Sequence, residues 1–542
     1  MMPCNIGQGF SMSQIRLHAF ITPRRFYPWL ITTPGITAVI VVNALVAPWH
    51  QAFHRGLVLA LLILTLAQVR RTGWRYLTTL VVLTGIALDT TLSLWSWANY
   101  RSAFSYGFAQ SVLDTDTHEA LSMLKLYWRD GLLFIGLLLT LTLSTLHIPA
   151  LSSRYRRWPG IALLVVLGGY SIQAALHQLR SNNLQSPVQR VLSSTPFSNA
   201  SVFLQVLQDQ RVIASVTADT PGYALSVSDT GIDTWVLIIG ESERTANMHI
   251  YGYGRETTPQ LDAQRHNLLL FHHAVSGAPV TIMAVPLALT ADTPEHHSID
   301  NYRDNIIAVA NQAGFRTYWF SRQGSGGAHN NIITAIASGA HQKQWVNTGY
   351  DDALLPLFQQ ALREPGRKLI VLHLYGSHEN ACDRYPASAA VFTGGNPADD
   401  CYDNSVRFTD SLLGQVFSAL QSSRASVLYF SDHALIRAPT SAVMYRHAGT
   451  RPPHEALQVP MFLWFSPQLA KSDALTGDIH PLWSTAHNNR LAELWLGIHR
   501  QNEPVQSLDG LIKQMGGRAS VADTTERVYD WYSLPQYSQE NP

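Results

Sequence analysis

Five apolar runs crowd into the first 180 residues, at about 30–47, 56–69, 77–98, 131–148 and 160–176. A helix crossing the hydrocarbon core of a bilayer needs about 20 apolar residues, within a range of about 17–25. Four of the runs meet that length; the second reaches it only if Arg55 extends its guanidinium to the interface and residues 52–54 lie at headgroup depth. Hydrocarbon offers the backbone no hydrogen-bond partners, so runs that enter it must be helical. This part of the chain is therefore committed to a helical bundle, and the rest of the 542 residues must fold in water.

Charge gives the bundle a direction. Arg16, Arg24 and Arg25 precede the first run, Arg70, Arg71 and Arg75 follow the second, and Arg154, Arg156 and Arg157 follow the fourth. Alternate loops are basic, which places them on the cytoplasmic side and puts the loop 100–129, with Asp114, Asp116 and Glu119, and everything after about His177 on the outer face. The first run has no small-residue cleavage site and four more follow it, so it reads as a span and not as a cleaved signal. Asp89, inside the third run, is expected to hydrogen-bond a neighbour within the bundle. A formal net charge of +1 lacks the concentrated basic face that a nucleic-acid partner requires.

Residues 1–177 thus form a membrane domain, and 178–230 a connector with apolar residues at helical spacing over 197–212 (Phe203, Leu204, Leu207). From 231 to 542, short apolar runs at 235–239, 267–271, 316–321, 368–375, 426–430 and 460–466 are interleaved with helical patterns at 305–313, 352–362 and 406–420. That alternation predicts an α/β domain with a mostly parallel sheet covered on both faces. Gly- and Pro-rich 394–400 and 448–453 read as loops, and the last thirty or so residues as a loosely held tail.

In open α/β sheets, ligands sit beyond the carboxyl ends of the strands. Glu241 follows the strand at 235–239 directly after Gly240, and the run SVLYF at 426–430 continues into Ser431-Asp432-His433. Glu241, Asp432 and His433 together make a zinc-type ligand set with one position left open. Thr281, in SGAPVTIMAVP at 276–286, is placed near a helix N-terminus, where backbone N–H groups favour negative charge. A threonine hydroxyl needs activation to act as a nucleophile near neutral pH, and metal coordination supplies it. His378, at the end of another strand, and His447, in the loop MYRHAG, are candidates to bind a phosphate oxygen, protonate a leaving group or hold a second metal. His373, inside the strand pattern, reads as a packed core residue. The cysteines are Cys4, Cys382 and Cys401, too few for a disulfide framework. Cys382 and Cys401 are either one bridge, in an oxidising compartment, or two free thiols.

These motifs occur in order with others: Arg244, Asn247 and YGYGRETTP at 251–259, Val285-Pro286 after Thr281, Gly376-Ser377-His378 with Arg384-Tyr385-Pro386, Tyr402-Asp403-Asn404 and Thr409-Asp410. The whole resembles the bacterial phosphoethanolamine transferases of the alkaline phosphatase and sulfatase superfamily. The resemblance implies a five-helix transmembrane bundle in the inner membrane and a periplasmic sulfatase-like domain. It implies zinc bound by Glu241, Thr281, Asp432 and His433, with Thr281 as the residue that becomes phosphoethanolamine-modified, and His378 and His447 near the phosphate. The segment QSVLDT at 110–115, with Asp114, resembles a stretch near the lipid-donor site, Ser111 standing where Asn is usual.

The reaction so implied moves phosphoethanolamine from phosphatidylethanolamine to an envelope acceptor, namely lipid A, lipopolysaccharide core or another surface glycan, and releases diacylglycerol. Ala434 and Leu435 replace the Gly and Glu that follow the Asp–His pair in lipid A-modifying members, and the only pairing left by the resemblance is Cys382–Cys401. Both departures describe a divergent branch. The competing readings are a phosphoglycerol transferase, a metal-dependent phosphodiesterase or sulfatase, and a catalytically silent membrane-anchored binding protein. The sequence TIMAV at 281–285 lacks the Cys or Ser nucleophile, with Pro and Arg at set spacing, of true sulfatases.

Overall fold

The computed structural model describes residues 33–69, 72–100, 102–115, 117–180, 186–216, 222–323, 332–439, 443–469, 476–501, 503–504 and 507–537. Arg16, Arg24, Arg25, Arg70, Arg71, Cys4 and Asp116 lie outside these residues.

The membrane part contains α1 (Pro34–Val46), α2 (Trp49–Ala67), α3 (Thr72–Tyr100), α4 (Tyr106–Asp114), α5 (Thr117–Leu126), α6 (Trp128–His147) and α7 (Trp158–Arg180). Among the described residues, four helices are long and apolar enough to cross a membrane: α2, α3 from Gly73, α6, and α7 as far as Gln178. The second run therefore reaches spanning length, because residues 49–55 join it in one helix of 19 residues. Arg55 turns inward there: Nε donates to the Ser193 carbonyl at 3.0 Å and a terminal nitrogen to Asn43 Oδ1 at 3.2 Å. α1 is the shorter apolar helix, with 13 residues, and residues 30–32 of the first run lie outside the described chain.

Asp89 has a different partner from the one expected. Its carboxylate accepts from the Asn199 backbone N–H at 2.7 Å and from Ser198 Oγ at 3.4 Å. It thus holds the first turn of α9 (Ser198–Val216), the connector helix, which follows the short α8 (Pro187–Ser193). A carboxylate at a helix N-terminus satisfies N–H groups that have no intrahelical acceptor. The bundle and the connector are joined by that buried contact.

The soluble part is built on a nine-stranded sheet: β1 (Thr234–Gly240), β2 (Leu268–Val275), β3 (Arg316–Ser321), β4 (Gln342–Trp345), β5 (Lys368–His373), β6 (Ala425–Ser431), β7 (Gln458–Phe465), β8 (Gly477–Ile479) and β9 (Trp483–Ser484). The order is β8-β2-β7-β6-β1-β5-β3-β4, with β9 also on β2. The sheet is mixed: β7 runs antiparallel to β2 and β6, and the other pairings are parallel. β1 is buried along its whole length, which is why it reads as a continuous apolar run without alternation. Trp235, Leu237 and Ile239 pack into one face's core with Val285, Ile306 and Leu491, while Val236 and Ile238 pack on the other with Phe358, Leu413 and Phe417.

Two local expectations are overturned. Residues 397–400 belong to a helix, α11 (Pro397–Leu420; α10 is Thr281–Leu289), because Pro397 sits in its first turn and the Asn396 side chain caps Ala398 N at 3.0 Å. The C-terminal segment is also packed: a hairpin pairs Ser520–Ala522 with Val528–Asp530, and Trp531 and Leu534 bury themselves against Val275 and Leu457. Pattern reading underrates such a segment because its contacts are distant in sequence.

Cys382 and Cys401 are bonded, tying the loop after β5 to the second turn of α11. The bridge closes a loop of 19 positions. Cys401→Ser is expected to lower stability by about 2–4 kcal/mol, measured by thermal unfolding of the purified protein without reductant. Reductant should produce a similar loss in the wild type.

Candidate active site and metal centre

β1 and β6 are parallel neighbours in register, Gly240 opposite Ser431, so the residues that follow them emerge side by side. Glu241, Asp432 and His433 are fully buried at that edge. Thr281 opens α10 directly above them. Its Oγ1 donates to Glu241 Oε2 at 2.9 Å and lies 3.2 Å from His433 Nε2. His433 Nε2 is 3.4 Å from Glu241 Oε1 and 3.3 Å from Asp432 Oδ2. The structure brings together all four residues picked from strand ends and a helix start.

The backbone that holds this geometry is constrained. Ser242 has φ of 60°, a left-handed conformation that costs a non-glycine residue roughly 1 kcal/mol. It is held there by its N–H donating to Asp432 Oδ1 at 3.0 Å and its carbonyl accepting from Tyr402 O–H at 2.6 Å. Ser242 Oγ also donates to Glu241 Oε1. Gly376, with φ of 46°, passes so close that an added Cβ would stand 2.7 Å from the Glu241 carbonyl oxygen. Only glycine fits that crossing.

The donor set fits a metal. One ligand atom from each of Glu241, Asp432 and His433 lies within 4.8 Å of the others. Asp432 Oδ2 is buried with no hydrogen-bond partner among the described residues, an arrangement that is costly unless a cation completes it. Burial, and then the Asp432 charge, push the Glu241 pKa up to about 7. Burial raises that of Asp432 and lowers that of His433 to about 4. Two acids and a neutral imidazole destabilised by burial form a set that a divalent cation would relieve.

His378 and His447 stand beside it. The His447 ring lies 4.7 Å from that of His433 and 5.5 Å from that of His378, and a second grouping within 4.8 Å joins Glu241, His378 and His447. Burial and Arg384 push the His378 pKa well down. Glu379, missed in the sequence reading although it adjoins His378, accepts from His447 N at 2.9 Å and lies 2.7 Å from its Nδ1. Burial alone would raise the Glu379 pKa, but His447 holds it down at about 2. Its contribution to stability is therefore complete above about pH 4.5 and is lost as pH falls through 2. Glu379→Gln is expected to destabilise the protein at pH 6, with the difference in melting temperature narrowing as the buffer is taken to pH 3.

The other Glu379 oxygen accepts from Tyr127 O–H at 3.0 Å. Tyr127 is the residue before α6, so a hydrogen bond joins the membrane part to a buried carboxylate at the site. Around this contact lies a cavity of about 420 Å³. Trp95, Phe108, Val112 and Met123 of the membrane part line it, together with Thr281, His378, Glu379 and His447. Ser111 and Thr115 line it too; Asp114 ends α4 between them, and its side chain lies outside the described residues. Gln323 completes the wall and donates to Glu241 Oε2 at 2.9 Å. Nothing in the local sequence marked Tyr127 or Gln323, whose roles follow from tertiary placement.

Residues 233–496 match the family model described as Sulfatase, and residues 20–217 the one described as Transferase YhbX N-terminal domain. YhbX of Escherichia coli O157:H7 is 40% identical over 516 residues, covering 93% of this chain and 94% of its own. The phosphoethanolamine transferase EptC of Escherichia coli K12 is 26% identical over 416 residues, 68% of this chain and 71% of its own. A crystal structure of the periplasmic domain of EptC from Escherichia coli, in complex with zinc, covers 59% of this chain and 98% of its own at 24% identity, with a TM-score of 0.52. The integral membrane phosphoethanolamine transferase EptA of Neisseria meningitidis covers 88% of this chain and 95% of its own at 17% identity, with a TM-score of 0.62. With the apolar helices, the sulfatase-type domain and the buried Glu–Thr–Asp–His cluster all present in one chain, it belongs to the membrane-anchored phosphoethanolamine transferase family of the alkaline phosphatase superfamily.

Proposed function

We propose that the protein transfers phosphoethanolamine from phosphatidylethanolamine to a hydroxyl-bearing glycan or glycolipid of the bacterial envelope, lipid A and the lipopolysaccharide core included. The observation that carries this reading is the shared cavity: Thr281 lines a space that Trp95, Phe108, Val112 and Met123 of the membrane part also line. A phospholipid fits such a space, its phosphate at the threonine and histidines and its glycerol and acyl carbons against Trp95, Phe108, Val112 and Met123. In this reading the chain crosses the inner membrane five times, α1 included, and the domain from 231 onward faces the periplasm.

Glu241, Thr281, Asp432 and His433 would hold zinc, whose Lewis acidity lowers the pKa of a neighbouring hydroxyl and offsets charge on phosphate oxygens. The chain's own groups orient the rest. Glu241 Oε2 accepts the Thr281 hydrogen bond and fixes the direction of Oγ1. As Oγ1 bonds to phosphorus, the bond from phosphorus to the glycerol oxygen breaks, and diacylglycerol leaves with a proton. In the second half the acceptor oxygen bonds to phosphorus, Thr281 Oγ1 is released, and the acceptor's proton restores the threonine. Displacement at phosphorus depends mainly on alignment and charge neutralisation. His447, whose pKa burial lowers and Glu379 raises to a net increase, is held by Glu379 beside the place where phosphate oxygens would lie.

The reading is tested with the full chain in vesicles containing phosphatidylethanolamine or, separately, phosphatidylglycerol as the only donor. Intact-protein mass should show a phosphoethanolamine adduct with the first and no adduct with the second. A phosphoglycerol adduct, or none with either lipid, would exclude the assignment. Mass spectrometry of envelope glycolipids from cells with and without the protein identifies the acceptor. Tyr127→Phe, which removes the O–H donated to Glu379, is expected to slow adduct formation roughly three- to tenfold while leaving metal content unchanged.

A further inference from the structure

The same cavity has a second polar corner that the transfer of phosphorus does not use. His373 and Trp319 both line it, and their rings meet edge to face with centroids 6.0 Å apart. Both side chains are almost wholly buried, at 2% and 0% exposure. His373 Nε2 and Trp319 Nε1 have no hydrogen-bond partner among the described residues. Buried polar atoms are ordinarily paired, and two orphans on adjacent rings in one cavity wall call for a ligand.

Their polarity is fixed by their neighbours. The Ser321 hydroxyl donates to the Gln323 carbonyl at 2.7 Å, and its oxygen lies 3.0 Å from His373 Nδ1. With the serine proton committed, Nδ1 must carry hydrogen and donate, so Nε2 presents a lone pair. Burial pushes the His373 pKa down to about 3, which keeps the ring neutral near pH 7. Trp319 Nε1 can only donate. The corner therefore offers one acceptor and one donor, the complement of an alcohol hydroxyl and a poor match for a phosphate or carboxylate.

We propose that Trp319 Nε1 and His373 Nε2 form a hydroxyl-binding subsite of the cavity, which orients the alcohol whose oxygen bonds to, or departs from, phosphorus at Thr281. The proposal rests on the transferase reading above and adds residues and a ligand class to it. Two alcohols meet the chemistry: the hydroxyl of the acceptor glycan, and the glycerol oxygen of departing diacylglycerol. Both fit the same pair of contacts, and the two half-reactions tell them apart.

The test uses full-length protein in phosphatidylethanolamine vesicles with methyl α-D-glucopyranoside as acceptor probe. It follows loading of Thr281 by intact mass and discharge by formation of phosphoethanolamine glucoside. The informative variants are Trp319→Phe, which removes the indole N–H, and a pair at His373. Asn places its amide near Nδ1 and keeps the Ser321 contact; Gln places it near Nε2. If the acceptor occupies the corner, Trp319→Phe and His373→Asn load at the wild-type rate but discharge to the glucoside roughly three- to tenfold more slowly, with a raised KM for the glucoside, and His373→Gln restores discharge. If diacylglycerol occupies it, the same variants load more slowly and discharge normally, which also supports the subsite.

Unchanged loading and discharge in a wild type that does load would overturn the subsite and leave the corner to an ordered water. Activity that follows the Ser321 contact, retained in His373→Asn and lost with stability in His373→Gln, would overturn it in favour of a packing role. A wild type that never loads removes the transferase reading itself, and the subsite with it.

Discussion

Thr281→Ala is expected to abolish the phosphoethanolamine adduct and to reduce transfer on the order of 10⁴-fold or more, as loss of a covalent nucleophile does in other enzymes. The substitution should be mild for the fold, because Thr281 is the half-buried first residue of α10 and its Oγ1 meets the metal-site residues Glu241, Asp432 and His433. Metal content is the control. Glu241, Asp432 and His433 remain in Thr281→Ala, so the purified variant should still take up zinc. An adduct that persists in this variant would place the nucleophile elsewhere. A variant that loses both adduct and metal would make Thr281 chiefly a ligand.

Asp432→Asn has the second largest expected effect, with opposite consequences for activity and stability. Residues that merely orient metal ligands are worth about 10–100-fold in affinity, and a ligand itself should exceed that. The variant should therefore purify without metal and show no transfer. In metal-free protein, however, the same change is expected to stabilise by about 1–2 kcal/mol at pH 8. Burial first, and then the Asp432 charge, raise the Glu241 pKa to about 7. A carboxyl with a raised folded-state pKa contributes stability below its ordinary value near 4.5 and loses it as pH rises through 7. Removing the opposing charge relieves that loss, so the gain should be present at pH 8 and nearly absent at pH 5. An Asn side chain can still accept from Ser242 N and His433 N through Oδ1, so the backbone hydrogen bonds survive. Equal melting temperatures for the two metal-free proteins at pH 8 would show that the carboxylates do not oppose each other.

Much of this site was legible in the sequence because its chemistry sits where regular structure ends. Glu241 and Asp432 each follow an apolar run too short for a membrane span and too continuous for a surface strand, and parallel pairing of β1 and β6 sets them side by side. Thr281 could be placed at a helix start from the Gly and Pro before it. Glu379, Tyr127 and Gln323 were not legible as participants, since each acquires its role from a partner more than 60 residues away. Glu379 meets Tyr127 at a separation of 252 positions, and Gln323 meets Glu241 at 82. The same reason explains the tail: Trp531, which lies between Tyr529 and Tyr532, is buried against Val275, more than 250 positions away. The second apolar run was underrated because Arg55 reads as its boundary, whereas α2 begins at Trp49 and carries Arg55 within it.

The Tyr127–Glu379 contact and the mixed wall around it bear on how inhibitors of such a protein should be sought. A truncated soluble form would present Thr281, His378 and His447 without Trp95, Phe108, Val112, Met123 or the phenol that donates to Glu379. Compounds selected against that form would be chosen without the surface that the membrane helices add. The intact molecule encloses a greasy slot beside Thr281 and the two histidines, and a molecule carrying both an anionic head and a short hydrocarbon arm would find purchase only there.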